Sequence, residues 1–182
     1  VKLSETQTVD VPLLSLLLTY GYEKEAIQLV KDQDLKPFKI FMFENNEQSD
    51  MTIAMENNQM DYFENSLKHI SNIDKQYTYN NEDGFYLLMH AAIKRDEHTY
   101  KKTILLLENG ANENLQTLNN MTAERTAEHN NNRDFLEALY SYRSNLASDD
   151  KFLDKNSPLT SDSITDLPPL SSPTAKYPGA YS

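Results

Sequence analysis

A repeated spacing constrains the fold of this chain more than any single motif does. Four short runs each have a small or apolar residue at the centre, in steps of 37, 37 and 36 residues: Leu17, Ala54, Ala91 and Ala127. Four positions further along each run, the same steps recur where a helix should end: Gly21, Asn58, Arg95 and Asn131. Gly and Asn tolerate the left-handed backbone of a tight turn between helices, and only Arg95 departs from that class. Two residue classes that share one period predict four repeated units.

Each unit has the pattern of a short helix, a turn and a longer helix. The longer helices are predicted where apolar residues recur three and four positions apart: 25–33, 61–70, 100–110 and 133–146. The shorter helices are predicted just before them: 13–21, 51–58, 86–95 and 122–131. One such unit cannot bury its apolar face alone, so stacking of the units has to supply the core. Alanine at three of the central positions allows neighbouring short helices to approach closely.

The third unit resembles an ankyrin repeat. DGFYLLMHAA (83–92) is similar to the family's Asp-Gly-x-Thr-Pro-Leu-His-x-Ala-Ala segment, although Tyr86 and Leu87 stand in place of Thr-Pro. LLLENGANEN (105–114) is similar to its Leu-Leu-x-x-Gly-Ala-Asp-x-Asn ending. The resemblance implies an all-α, ankyrin-type solenoid of stacked helix-turn-helix repeats with finger loops. It would cover residues 1–147, with repeats near 8–44, 45–81, 82–118 and 119–146.

The last part of the chain, 148–182, has a different composition. It is rich in Ser, Pro, Asp and Thr and has no sustained apolar period. Such a segment buries too little apolar area to offset the entropy lost on ordering, so we expect a flexible, disordered tail. Its Ser-Pro pairs at 157 and 172 and the LPPL segment at 167–170 leave a phosphorylation or docking role open.

Charge and composition restrict the partners. The formal net charge is −11 and the pI is near 4.7, which argues against a nucleic-acid backbone as the main partner. The chain has no cysteine, and no apolar stretch approaches the length of a membrane span. We therefore expect an intracellular protein, cytoplasmic or nuclear, that binds neither nucleic acid nor membrane.

Signatures of catalysis are missing from the sequence. There are only four glycines and no glycine-rich phosphate loop. The four histidines lie outside any spaced metal motif, and His129 with its acidic neighbours Glu124 and Glu128 is better explained as a solvated helix end. We expect His90 at a surface position of the third short helix. The sequence thus predicts no catalytic residue, no metal and no cofactor.

The family resemblance implies that a partner protein binds the concave side, which the finger loops and the exposed side of the short helices form. Aromatic and Met side chains among amides suit such a surface. The positions carried over as partner-binding are Thr19, Tyr20, Gln48, Glu56, Asn57, Tyr77, Tyr79, Asp83, Phe85, Ile93, Lys94, Met121, His129 and Asn130. This predicts a non-enzymatic protein-interaction module.

Two apolar stretches and two other functions stay open at this point. We expect Leu13, Leu16 and Leu17 to be covered by residues 1–10, by further chain upstream or by a partner. The run PFKIFMF (37–43) either packs beneath the first finger or forms a second docking patch. The alternative functions are a targeting or regulatory domain of a larger enzyme or transcription regulator, and an array that displays a phosphorylated or linear-motif tail.

Overall fold

A computed structural model describes residues 12–33, 35–43, 46–80 and 82–153 of the chain. The fold is mostly helical, and the helices alternate between short and long. The short helices are α1 (Leu13–Thr19), α3 (Asp50–Glu56), α5 (Leu87–Ile93) and α7 (Ala123–His129). The long helices are α2 (Glu23–Gln33), α4 (Met60–Leu67), α6 (Thr99–Glu108) and α8 (Arg133–Leu153). All eight predicted helices are present with small shifts of their ends, apart from α8. We number the four helix pairs as units 1 to 4.

The turns inside the units follow the predicted residue classes. Gly21, Asn58 and Asn131 have φ angles of 82°, 56° and 52°, so the left-handed backbone expected there is confirmed. The third unit differs because α5 ends at Ile93 and its C-cap residue Lys94 has extended backbone, with φ −77° and ψ 133°. Residues 95–98 then lead into α6. This longer connection explains why Arg95 needs neither Gly nor Asn at the helix end.

Successive short helices pack on one another, α1 on α3, α3 on α5 and α5 on α7. Among the long helices, α2 packs on α4 and α6 on α8. The central alanines Ala54, Ala91 and Ala127 are at most 1% exposed, because their small side chains leave room for the neighbouring helix. The core runs between the short and long helices and is filled by large side chains such as Tyr62, Phe63 and Phe135.

Two antiparallel hairpins stand where the sequence predicts finger loops. β1 (Phe41–Phe43) pairs with β2 (Asn46–Gln48), and β3 (Tyr77–Tyr79) pairs with β4 (Glu82–Phe85). Two residues connect β3 to β4, and Asn80 has the positive φ of 50° that such a turn favours. The corresponding position between α6 and α7 is a turn, in which Thr117 N donates to Met121 O at 3.0 Å.

Buried side-chain donors from one unit cap the short helix of the unit before it. The last carbonyls of a helix lack partners within the helix. Gln59 Nε2 donates to Leu18 O at 2.8 Å, and Lys102 Nζ donates to Met55 O at 2.6 Å. Asn132 Nδ2 lies 3.2, 2.9 and 2.8 Å from three carbonyls at the end of α5, those of Ala91, Ala92 and Lys94. Each boundary between units therefore carries a donor of this kind.

The donor between units 2 and 3 is a charged group inside the core. Lys102 is 1% exposed, yet its ammonium has two further acceptors, Asn58 Oδ1 at 2.7 Å and Asp96 Oδ2 at 2.8 Å. An ammonium donates three hydrogen bonds, and all three are made here. Burial of the charge is tolerated because it is fully paired.

The segment before α3 packs inward. Pro37, Phe38 and Phe41 are buried, whereas Met42 is 52% exposed, so the run 37–43 is mainly core packing and not a continuous docking patch. Phe38 has a φ of 67°, which is uncommon for a residue other than glycine. The buried Asp50 carboxylate stabilises this backbone by accepting a hydrogen bond from Phe38 N at 2.9 Å. Asp50 also accepts a hydrogen bond from Tyr62 Oη at 2.7 Å. Burial raises the pKa of Asp50 above its ordinary value.

One expectation about the ends of the chain needs correction, and another stays a prediction. Leu13 and Leu16 are 56% and 40% exposed and Leu17 packs partly against the core, so their cover by residues 1–10, by further chain upstream or by a partner stays a prediction. Helix α8 continues to Leu153, beyond the boundary predicted at 147. Residues 1–11 and 154–182, on which the predicted N-terminal cover and most of the predicted tail fall, lie outside the described residues.

Replacement of Lys102 by Met tests the buried donor. The variant removes the cation but leaves its acceptors Asp96, Asn58 and Met55 O in place, so the free energy of unfolding should fall by about 3 kcal/mol. Lys101→Met is the matched control, because Lys101 is 54% exposed and forms only a surface pair with Glu64. Its effect should stay below about 0.5 kcal/mol. Urea unfolding measures both, and equal losses would contradict the assignment.

Candidate functional site

A groove lies between units 3 and 4. The β3–β4 hairpin and α5 form one wall, and the 117–121 turn and α7 form the other. The groove encloses about 520 Å³, within the range of clefts that hold ligands. Its lining combines apolar, amide and hydroxyl side chains: Asn80, Glu82, Phe85, Met89, Ile93, Thr117, Met121, Thr126, His129 and Asn130.

The floor of the groove is apolar and firmly packed. Phe85 and Met89 are 5% and 1% exposed, whereas Ile93 and Met121 are half-buried in the walls. Thr126 Oγ1 donates to Met89 Sδ at 2.9 Å, which ties α7 to α5 beneath the groove. The hairpin fixes the position of Phe85. The β4 backbone pairs with β3, and the centre of the Phe85 ring lies 5.3 Å from the centre of the Tyr79 ring.

The two ends of the groove differ in charge. Glu82 is exposed at the hairpin end and is the one side chain with a formal charge at pH 7 among the ten that line the groove. His129 and Asn130 lie at the other end, where α7 stops. Arg95 Nη1 donates there to Asn130 O over 3.4 Å. The hairpin end therefore carries a carboxylate, and a guanidinium lies beside the other end.

A second group of polar residues lies on the other side of α5, facing α3. We call Glu56, His90, Lys94 and Tyr79 the Glu56 cluster. His90 Nε2 and Lys94 Nζ lie 3.5 and 3.6 Å from Glu56 Oε1. The Tyr79 ring meets the imidazole edge-on, with 5.0 Å between the ring centres. The neighbouring His90 side chain, followed by Lys94, lowers the pKa of Glu56 below its ordinary value, and partial burial opposes this shift.

The expected surface position of His90 is wrong. The residue is 1% exposed, and among the described residues neither ring nitrogen has a hydrogen-bond partner within normal geometry. The Tyr79 ring packs edge-on against the imidazole from the hairpin and contributes to this burial. A short helix read alone gives no sign of this cover, because it comes from another element.

The predicted partner-binding residues fall into three groups by exposure. Exposed positions are Thr19, Tyr20, Glu56, Asn57, Asp83 and His129. Half-buried positions are Gln48, Tyr79, Ile93, Lys94, Met121 and Asn130. Tyr77 and Phe85 are 4% and 5% exposed, so the expectation that they present their rings to a partner is wrong. Both rings pack inside the hairpin layer, 6.4 Å apart.

The structure brings only part of the predicted set together. Five of the predicted residues line the groove, namely Phe85, Ile93, Met121, His129 and Asn130. Thr19 and Tyr20 lie at the end of α1 in unit 1, away from this groove. Five lining residues were not in the predicted set: Asn80, Glu82, Met89, Thr117 and Thr126. A signal for two of them existed, because Met89 precedes Ile93 and Thr126 precedes Asn130 by four residues, which places each pair on one helix face.

Other kinds of site find little support in the described part of the chain. No group of three or more His, Cys, Asp or Glu side chains comes together there in a way that suits a metal ion. None of the helices in that part is long and apolar enough to cross a membrane. No protein-family model matches the chain, and no curated protein matches it.

Replacement of Glu56 by Gln tests the Glu56 cluster through pH. A carboxyl group whose pKa is lowered by folding stabilises the fold above its unfolded pKa, near 4.5, and this stabilisation is lost as the pH falls through the folded pKa. The unfolding free energy of the wild type should therefore fall more than that of the variant between about pH 5 and pH 3. Glu108→Gln, at an exposed position, is the control. Parallel pH profiles for wild type and Glu56→Gln in urea unfolding would refute the coupling.

Proposed function

We propose that this chain is an ankyrin-type repeat array that binds another protein through the groove between units 3 and 4. The observation that carries the proposal is the make-up of the groove, in which two successive units supply equivalent walls around an apolar floor. Half-buried Ile93 and Met121 with a polar rim resemble the anatomy of protein interfaces, where an apolar centre is surrounded by polar groups.

The repeat character of the array is supported by contacts that recur at the same separation. Thr126 Oγ1 donates to Met89 Sδ, and Ala123 N donates to Tyr86 Oη, each across 37 residues. This separation is within one residue of the 36-residue step from Ala91 to Ala127, so the sequence period has a physical counterpart between units 3 and 4. The alternation of short and long helices with intervening hairpins adds to the support for an ankyrin-type arrangement.

The chemistry of the groove favours recognition over catalysis. Its one carboxylate, Glu82, belongs to the hairpin end, and its one imidazole, His129, belongs to the end of α7. General acid–base catalysis requires such groups within hydrogen-bond reach of one reacting centre. The Thr126 hydroxyl donates to a thioether and has no adjacent base among its hydrogen bonds, so nothing activates it as a nucleophile.

A specific observation favours one alternative, an array that docks onto a further domain or partner at its first unit. Leu13 and Leu16 are exposed on α1, and Tyr20 and Tyr22 are 67% and 53% exposed nearby. Apolar side chains grouped in this way mark surfaces that other proteins cover. A targeting or regulatory role within a larger protein would use this surface together with the groove.

The groove proposal predicts a loss of partner binding from three substitutions. Alanine at Ile93, Met121 and His129 should weaken capture of the partner at least about tenfold, because central interface side chains carry most of the binding energy. Affinity capture from cells with quantitative mass spectrometry measures this on residues 1–182, and circular dichroism verifies that the helices remain.

A control triple variant changes exposed residues of the long helices instead. Gln28, Tyr100 and Glu137 lie on α2, α6 and α8, and none of them lines the groove. Their replacement by alanine should leave capture unchanged. If the groove variant retains the same captured proteins as this control, the groove is not the binding surface.

A further inference from the structure

We propose that the partner segment held by the groove carries a Lys or Arg side chain beside Glu82 and, further along, an apolar side chain against Ile93. This inference rests on the proposed function and adds the chemistry of the partner. It also gives the segment a direction, with its basic residue toward the β3–β4 hairpin and its apolar residue toward the end of α5.

The apolar position follows from the walls of the groove. Ile93 is the last residue of α5 and is half-buried in one wall, at the end of the groove away from the hairpin. Met121 is half-buried in the other wall but precedes α7, so it lies toward the hairpin end. Phe85 and Met89 are already packed and at most 5% exposed. A side chain of the size of Leu, Met or Phe placed against Ile93 removes apolar surface from water.

The basic position follows from the charge of the lining. Glu82 is exposed at the hairpin end, and no lining residue in the described part of the chain offers a cation to pair with it. The next residue, Asp83, accepts from Thr78 Oγ1 at 2.7 Å through Oδ1, which fixes a second carboxylate at the same hairpin. The whole chain carries −11 charges, so its field attracts cationic partners over longer distances.

The other end of the groove would repel a cation. Arg95 Nη1 donates to Asn130 O beside that end. An extended segment placed with its basic residue at this end would put like charges together, which binding sites use to reject wrong partners. The charge difference along the groove therefore sets the direction of the bound segment.

A random 12-residue peptide library displayed on phage tests this chemistry directly. The probe is immobilised protein 1–182, with counter-selection against the alanine variant of Ile93, Met121 and His129. The selected peptides should share a Lys or Arg and a nearby Leu, Met or Phe. Groove-dependent peptides without a basic residue would overturn this inference but leave the proposed function standing. A library without any groove-dependent peptide would count against both.

Charge reversal then assigns the contact to Glu82. Fluorescence polarisation with one selected peptide should show about fivefold weaker binding to Glu82→Gln and a larger loss with Glu82→Lys. A peptide whose basic residue is replaced by Glu should bind Glu82→Lys better than it binds the wild type. Glu25→Lys, an equal charge change at an exposed position of α2, is the control and should produce no such exchange of preference. The same preference in both Lys variants would show that net charge alone acts and would overturn the inference.

Discussion

The carbonyl groups at the end of each short helix need hydrogen-bond donors, and the next unit supplies them through buried side chains. Gln59, Lys102 and Asn132 each reach back to the preceding short helix. A buried carbonyl without a partner is costly, so each donor couples the position of its own unit to that of its neighbour. Asn132 extends this coupling into α8, because its Oδ1 accepts from Phe135 N at 3.3 Å. The arrangement of the whole array depends on these contacts and on the small central alanines between them.

The groove follows from the distance between neighbouring short helices. Helices α5 and α7 are held at the distance set by Ala91 and Ala127, and Asn132 fixes their relative position from behind. The hairpin before α5 and the turn before α7 then stand side by side, with Phe85 and Met121 at their bases. For the proposed binding of a partner, walls that are already in place would lower the entropy lost on binding.

Much of the fold could be predicted from the sequence, because the period and the turn residues are local signals. Asn58 and Asn131 have the left-handed backbone that their class predicts. The hairpins could not be predicted in this way, since their strands are only three or four residues long. Lys102 was also beyond prediction, because lysine is normally exposed and two of its three acceptors, Met55 O and Asn58 Oδ1, come from a distant part of the chain. Within the candidate site, the lining residues on helix faces could be predicted from their spacing in the sequence. The burial of the aromatic rings could not, because it depends on tertiary packing.

Hydrogen exchange of an Asn132→Leu variant tests most directly whether these donors couple the units. Leucine keeps the volume but removes the amide that caps α5. If the coupling holds, the amides of α5 in unit 3 and of α7 in unit 4 should both exchange about tenfold faster than in the wild type, since each unit loses a shared contact. Wild-type protection of α5, with faster exchange confined to unit 4, would contradict the account.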